Sequence, residues 1–140
     1  MTGFVELRLA NDFDGLAGLA DRVERFGAEQ GLPANVVNAI NVALDEAVSN
    51  AINHGYDAGV RGEIAVRLRR GADRVEVEVE DDGRPFDPLQ VPPPDLSLPL
   101  EQRPIGGLGI HLIRNMMDEV SYARHDGRNV LKMAKHLATT

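Results

Sequence analysis

The chain has 140 residues, enough for one domain with a single sizeable core, and carries a formal net charge of −7. Its basic residues are scattered and it has no Trp, which argues against nucleic acid or an anionic membrane as principal partner. No Cys is present, so disulfides and thiolate chemistry are excluded and a reducing cytoplasm is expected; no run reaches the ~20 apolar residues of a membrane helix, and the N-terminus lacks a signal-peptide layout.

Gly3 to Leu9 alternates like a short strand. From about Asp12 to Gln30, Leu16, Leu19, Ala20, Val23 and Phe26 recur at helical spacing, and the Gly31-Leu32-Pro33 run ends that helix. A second helix is predicted from about Ala34 to His54, with Gly55 just past its end as a C-terminal stop. Its projection puts Ile40, Leu44, Ala47 and Ala51 on a buried side and Asn38, Asn41, Asp45 and Ser49 on a solvated side. Glu46, Asn50 and Asn53 form a stripe on the border, where a helix both contacts the core and lines a cleft.

Glu63 to Arg70 and Arg74 to Glu80 alternate strictly across a Gly71-Ala72-Asp73 turn, which predicts an antiparallel hairpin with one buried face. Residues 83–106 form a long irregular segment that includes Pro92, Pro93 and Pro94, a length found in functional lids or in disorder. Ile110, Ile113, Met116 and Met117 trace a third helix starting at the glycines, and Val120 to Tyr122 with Val130 to Lys135 read as a last hairpin across Asp126-Gly127. There are no internal repeats. The order β-α-α-β-β-lid-α-β-β predicts an α+β two-layer sandwich, with helices on one face of a mixed, mainly antiparallel sheet. It reads as a single domain over residues 1–140, with 83–106 as the lid.

The chemistry gathers in three places. Glu46 and Asn50 are four residues apart, on one helix face a turn from each other. A carboxylate there can orient or deprotonate a nucleophile, and a carboxamide oxygen can hold a hydrated Mg2+; the bland reading is an ordinary polar helix face. Polar groups nonetheless cluster where this helix stops, at Asn53, His54 and Tyr56, and His54 itself reads as a helix-end residue. Asp81-Asp82-Gly83 closes a strand of alternating valines. Either it is a simple strand-end turn, or Asp81 accepts from an exocyclic amine such as that of adenine while Gly83 lets the backbone approach the base. Phe86 would then wall the pocket, or else belong to the core. Gly106-Gly107-Leu108-Gly109 opens a helix, as a lid hinge, a phosphate contact, or both. It fits neither the P-loop, whose Lys-Ser/Thr is missing, nor a dinucleotide fingerprint. Arg103 could reach a γ-phosphate or be simply solvated.

In this order, Glu46 to Tyr56, Asp81 to Asp87 and Gly106 to Val120 resemble the N, G1 and G2 boxes of the GHKL (Bergerat-fold) ATPases. The closer likeness is to the stand-alone anti-sigma-factor serine kinases of bacteria, the RsbW and SpoIIAB type, because the last box runs into Met117-Asp118-Glu119-Val120. Where many members carry a second glycine, this chain has Arg84-Pro85-Phe86. The resemblance implies the Bergerat ATP-binding fold, with ATP and Mg2+ as cofactors. Glu46 would be the general base toward a partner's serine and Asn50 the Mg2+ ligand. Asp81 would read adenine, and Gly107 and Gly109, flanking Leu108, would contact phosphates beneath the lid. Asn53, Gly83, Phe86 and Arg103 complete the expected nucleotide-binding set. The implied partners are a sigma factor held inactive and a STAS-domain antagonist phosphorylated on serine, and the implied assembly is a homodimer. An ATP-gated partner-binding regulator without kinase activity is the alternative.

Overall fold

A computed structural model describes residues 3–90 and 107–138, with the backbone alone at 107–109. Strand β1 (Gly3–Ala10) leads into a short helix α1 (Phe13–Leu16) and then α2 (Leu19–Glu29). Helix α3 (Ala34–Gly55) precedes the hairpin of β2 (Glu63–Arg70) and β3 (Arg74–Asp81). After a 3-10 turn at Pro88–Gln90 and the undescribed residues, α4 (Gly107–Met116) is followed by β4 (Glu119–His125) and β5 (Arg128–His136). The five strands form one sheet in the order β1-β2-β3-β5-β4, and every pairing is antiparallel. The α+β expectation holds, with no parallel pair among the described strands.

Two turns show why these elements stop where they do. Gly31, at φ +65°, ends α2 with the Leu32 N–H bonded to the Gly27 carbonyl at 2.9 Å, a left-handed cap that glycine takes without strain. Asp126 (φ +52°) and Gly127 (φ +75°) turn β4 into β5; positive φ at both central residues matches the twist of a two-residue hairpin. The single helix expected over 12–30 is in fact two. Asp12 Oδ1 caps α1 through the Gly15 N–H at 2.8 Å, and a three-residue bond from the Ala17 N–H to the Asp14 carbonyl at 3.3 Å closes that turn just before Gly18, a residue with weak helical preference.

One face of the sheet is dry. Ile64, Val66 and Leu68 of β2 and Val75 and Val77 of β3 are fully buried against Ile40, Leu44 and Val48 of α3 and Ile110 and Ile113 of α4. Each such side chain contributes about 1.5–3 kcal/mol by leaving water. The helical projection of α3 is confirmed, since Ala47 and Ala51 are buried while Asn38 and Asp45 are exposed. Asn41 and Ser49 are half-buried, because α2 and α4 flank α3 and narrow its solvated strip. No helix among the described residues is long and apolar enough to cross a membrane.

Candidate functional site

The last turn of α3 meets the last residue of β3. Asp81 is only 6% exposed, and its partner across the ladder in β5 is Asn129, 5% exposed. Asp81 Oδ1 accepts from the Gly83 N–H and from Asn129 Nδ2, each at 2.9 Å. Among the described residues nothing bonds Oδ2, and Asp81 lines the adjoining pocket. Burial pushes the Asp81 carboxyl up; the bonds from Asn129 and Gly83 oppose that shift, Asp82 adds to it and Arg124 reduces it.

The absence of a side chain at Gly83 makes this junction possible. A Cβ on Gly83 would lie 2.5 Å from the Gly55 carbonyl oxygen, which also accepts the Arg84 N–H at 2.8 Å. The sequence places Gly55 beyond the helix as a stop. Instead it is the last helical residue and its φ is not positive; a Cβ there would make only ordinary contacts, 3.5 Å to Asp81 Oδ1 and 3.7 Å to the Gly83 Cα. Next to it the Tyr56 hydroxyl donates to Asp82 Oδ1 at 2.6 Å, tying the segment after α3 to the one after β3. Burial first, and then that bond, push the Tyr56 hydroxyl far up, while the same bond holds the Asp82 carboxyl down.

Asn50, Gly55, Asp81, Phe86 and Asn129 line one pocket, with Tyr122 from β4 at its rim. Phe86 stacks on His54, ring centroids 4.5 Å apart and planes 12° from parallel, and is among the residues lining the pocket. The cavity measures about 30 Å3, room for water and not for a purine.

The structure thus brings together Asn50, Asp81 and Phe86, with Gly83 beneath them. Glu46 lies one turn back along α3, half-buried and in no ion pair with a described residue. Burial, and then Asp45 beside it, raise its carboxyl. Asn53 is exposed and does not line the pocket. Gly107 begins α4, which packs along α3, with Leu108 and Gly109 in its first turn; Gly106, Arg103 and the rest of 91–106 lie outside the described residues. Sequence reasoning missed Asn129 and Tyr122, because only the β3–β5–β4 register carries them to Asp81. Among the described residues no cluster of three acidic or histidine side chains could hold a metal. A Mg2+ would fit here only in the manner usual for that ion, on one side-chain oxygen such as that of Asn50, with ligand phosphates and water for the rest.

A family model described as the histidine kinase-like ATPase domain matches residues 9–135. The chain belongs to that family. Within the histidine kinase-like ATPases it is 34% identical over 126 residues to the serine-protein kinase RsbW of Bacillus cereus, covering 87% of this chain and 73% of that protein. It is 33% identical over 99 residues to the serine/threonine-protein kinase BtrW of Bordetella bronchiseptica, covering 71% and 70% respectively. The chain is a histidine kinase-like ATPase domain of the RsbW serine-kinase type. Its fold is shared with part of the crystal structure of the RsbU and RsbW domains of a Mycobacterium tuberculosis protein, at TM-score 0.68 and 18% identity, over 95% of this chain and 32% of that longer one. The histidine kinase domain of a blue-light activated kinase from Erythrobacter litoralis is more distant, with TM-score 0.55 and 15% identity over 84% of this chain and 60% of that one.

Proposed function

We propose that the protein is an ATP- and Mg2+-dependent protein-serine kinase that phosphorylates a STAS-domain antagonist and sequesters a sigma factor. The observation that carries this reading is buried Asp81, whose Oδ2 has no partner among the described residues, in the lining of a pocket shared with Asn50. An exocyclic amine satisfies that oxygen, and a nucleotide anchored there runs along α3. From Gly55 past Asn50 to Glu46 the helix advances roughly 13 Å, at its usual rise per residue. Phosphates near Asn50 would therefore bring a terminal phosphoryl group toward Glu46.

Bound Mg2+ would supply charge neutralisation on the phosphates, with the Asn50 oxygen as its protein ligand. Glu46, unpaired among the described residues and with a raised pKa, takes the proton from the attacking serine hydroxyl. Gly107 and Gly109 present the backbone N–H groups of the first turn of α4 to the phosphates. Gly83 gives the base close backbone approach, Phe86 walls it, and Asn53, Leu108 and Arg103 complete the set. Residues 83–106 act as the lid of a single kinase domain spanning 1–140. The regulatory partnership, the homodimer and a cytoplasmic location are what kinship with RsbW-type kinases supports.

The test is transfer of labelled γ-phosphate to a purified STAS-domain antagonist, with Mg-ATP binding followed by calorimetry. Wild type labels serine; Glu46→Ala binds Mg-ATP and labels nothing. Equal labelling by both would remove Glu46 as the base. Binding without labelling by the wild type would favour an ATP-gated binding module.

A further inference from the structure

We propose that Asn129 is a positioning residue that holds Asp81 as a hydrogen-bond acceptor and so sets a preference for a 6-amino over a 6-oxo purine. This rests on the pocket being a nucleotide site. The orientation of the carboxamide is fixed by its own neighbours. Its Oδ1 accepts from the Phe86 N–H at 3.3 Å, from Arg124 Nη1 at 3.1 Å and from the Tyr122 hydroxyl. Both hydrogens of its Nδ2 are taken, by Asp81 Oδ1 at 2.9 Å and by the Arg84 carbonyl at 2.7 Å. Turning the amide over would set its NH2 against an N–H and a guanidinium, and its oxygen against a carbonyl and a carboxylate. Asn129 can therefore only donate toward Asp81.

That direction matters for what Asp81 can read. With Oδ1 filled by Asn129 and Gly83, the carboxylate is locked about its last torsion and offers Oδ2 alone. An exocyclic amine donates to Oδ2, whereas a 6-oxo group meets it oxygen to oxygen. Without the Asn129 donor, one backbone N–H is left to hold the carboxyl. Burial then favours a protonated group, which donates to a 6-oxo purine as readily as the ionised form accepts from an amine. Asn129 spends all its bonds on protein and acts on the base only through Asp81. Arg124, anchored on the Gly83 carbonyl at 2.9 Å, and Tyr122 brace it from β4.

Calorimetric titration of ADP and of IDP, each with Mg2+, into wild type, Asn129→Asp and Asn129→Ala decides the matter. Asn129→Asp keeps the shape and the acceptor side toward Phe86, Tyr122 and Arg124 but exchanges the donating NH2 for a carboxyl oxygen set against Asp81, so that the two acids compete for one proton; Asn129→Ala removes donors and acceptor without adding charge and is the cleaner variant. Wild type is expected to prefer ADP by about tenfold to hundredfold, the worth of a hydrogen bond to a charged group. Both variants are expected to cut that preference to about threefold or less, through weaker ADP binding with IDP binding unchanged or tighter. ADP and IDP weakening in parallel would overturn the proposal and leave Asn129 a structural residue. Equal binding of the two by wild type would overturn it while sparing the nucleotide site. Binding of neither would overturn it together with the nucleotide reading.

Discussion

On the sheet face turned away from the helices, carboxylates are held down by cations: Glu6 by Arg67 and Arg8, and Glu119 by His136 and Arg74. Along α3 and at the end of β3 the shift reverses, and burial pushes Glu46 and Asp81 up. The first region is a ladder of paired charges, in which Arg67 alone faces Glu6, Glu78 and Glu80. The second has few charges, and none of the described cations pairs with Glu46. Many partners in high dielectric do little, whereas a single acid kept from water and from counter-charge keeps its proton affinity available for chemistry.

The sharpest way to break that contrast is Glu46→Gln, which keeps shape and removes the base. Phosphotransfer is expected to fall by about 10²–10⁴-fold while the Mg-ATP dissociation constant changes little. In the wild type the sign of the shift sets the pH limb. Because Glu46 is raised, the ionised base is lost as pH falls through that elevated value, so kcat declines on an acid limb displaced upward from that of an ordinary Glu. An acid limb at the ordinary glutamate position, measured under saturating ATP, would remove burial as the tuning device.

Asp81→Asn separates recognition from folding. Its carboxamide oxygen still accepts from Gly83 and Asn129, but an NH2 replaces Oδ2, so ADP affinity is expected to drop about hundredfold. Stability should hold or rise. A carboxyl raised by burial costs stability above its unfolded pKa, and a neutral amide does not carry that cost. Urea unfolding at pH 7 and at pH 4 checks the sign: the variant's advantage should shrink at the lower pH. Gly83→Ala tests the junction itself. With its Cβ 2.5 Å from a backbone oxygen, it is expected to lose about 2–3 kcal/mol in urea melts. The outer ladder should give least. Arg67→Ala is expected to cost about 1 kcal/mol, and Arg8→Ala to leave the thermal midpoint unchanged. A large loss at Arg8 would erase the distinction between the two faces.

Much of this was legible in the chain because period and position agreed. The valines of β3 alternate, and the Ile40, Leu44, Ala47, Ala51 row of α3 is helical, so both buried faces could be read directly. Asn50 and Asp81, which line one pocket, could be singled out because each ends or borders such an element. Asn129 was not, since its role depends on β5 pairing with β3 across more than forty intervening residues. Local pattern carries no register over that distance. Gly55 misled for a related reason: a glycine at a helix end signals a left-handed stop, and nothing nearby reveals that another glycine will press against it.

Strands β3 and β5 are hydrogen-bonded neighbours, yet everything from residue 82 to 128 intervenes between them. That excursion leaves from Asp81 and returns at Asn129, so the bond between these two side chains also fastens its two ends. Helix α4 and strand β4 within it are packed into the fold, so changes of length fit only in the connections between elements, where each doubling of a flexible stretch adds only about 0.6 kcal/mol of closure entropy. Homologous chains can therefore differ in those connections while the Asp81–Asn129 pair stays in register.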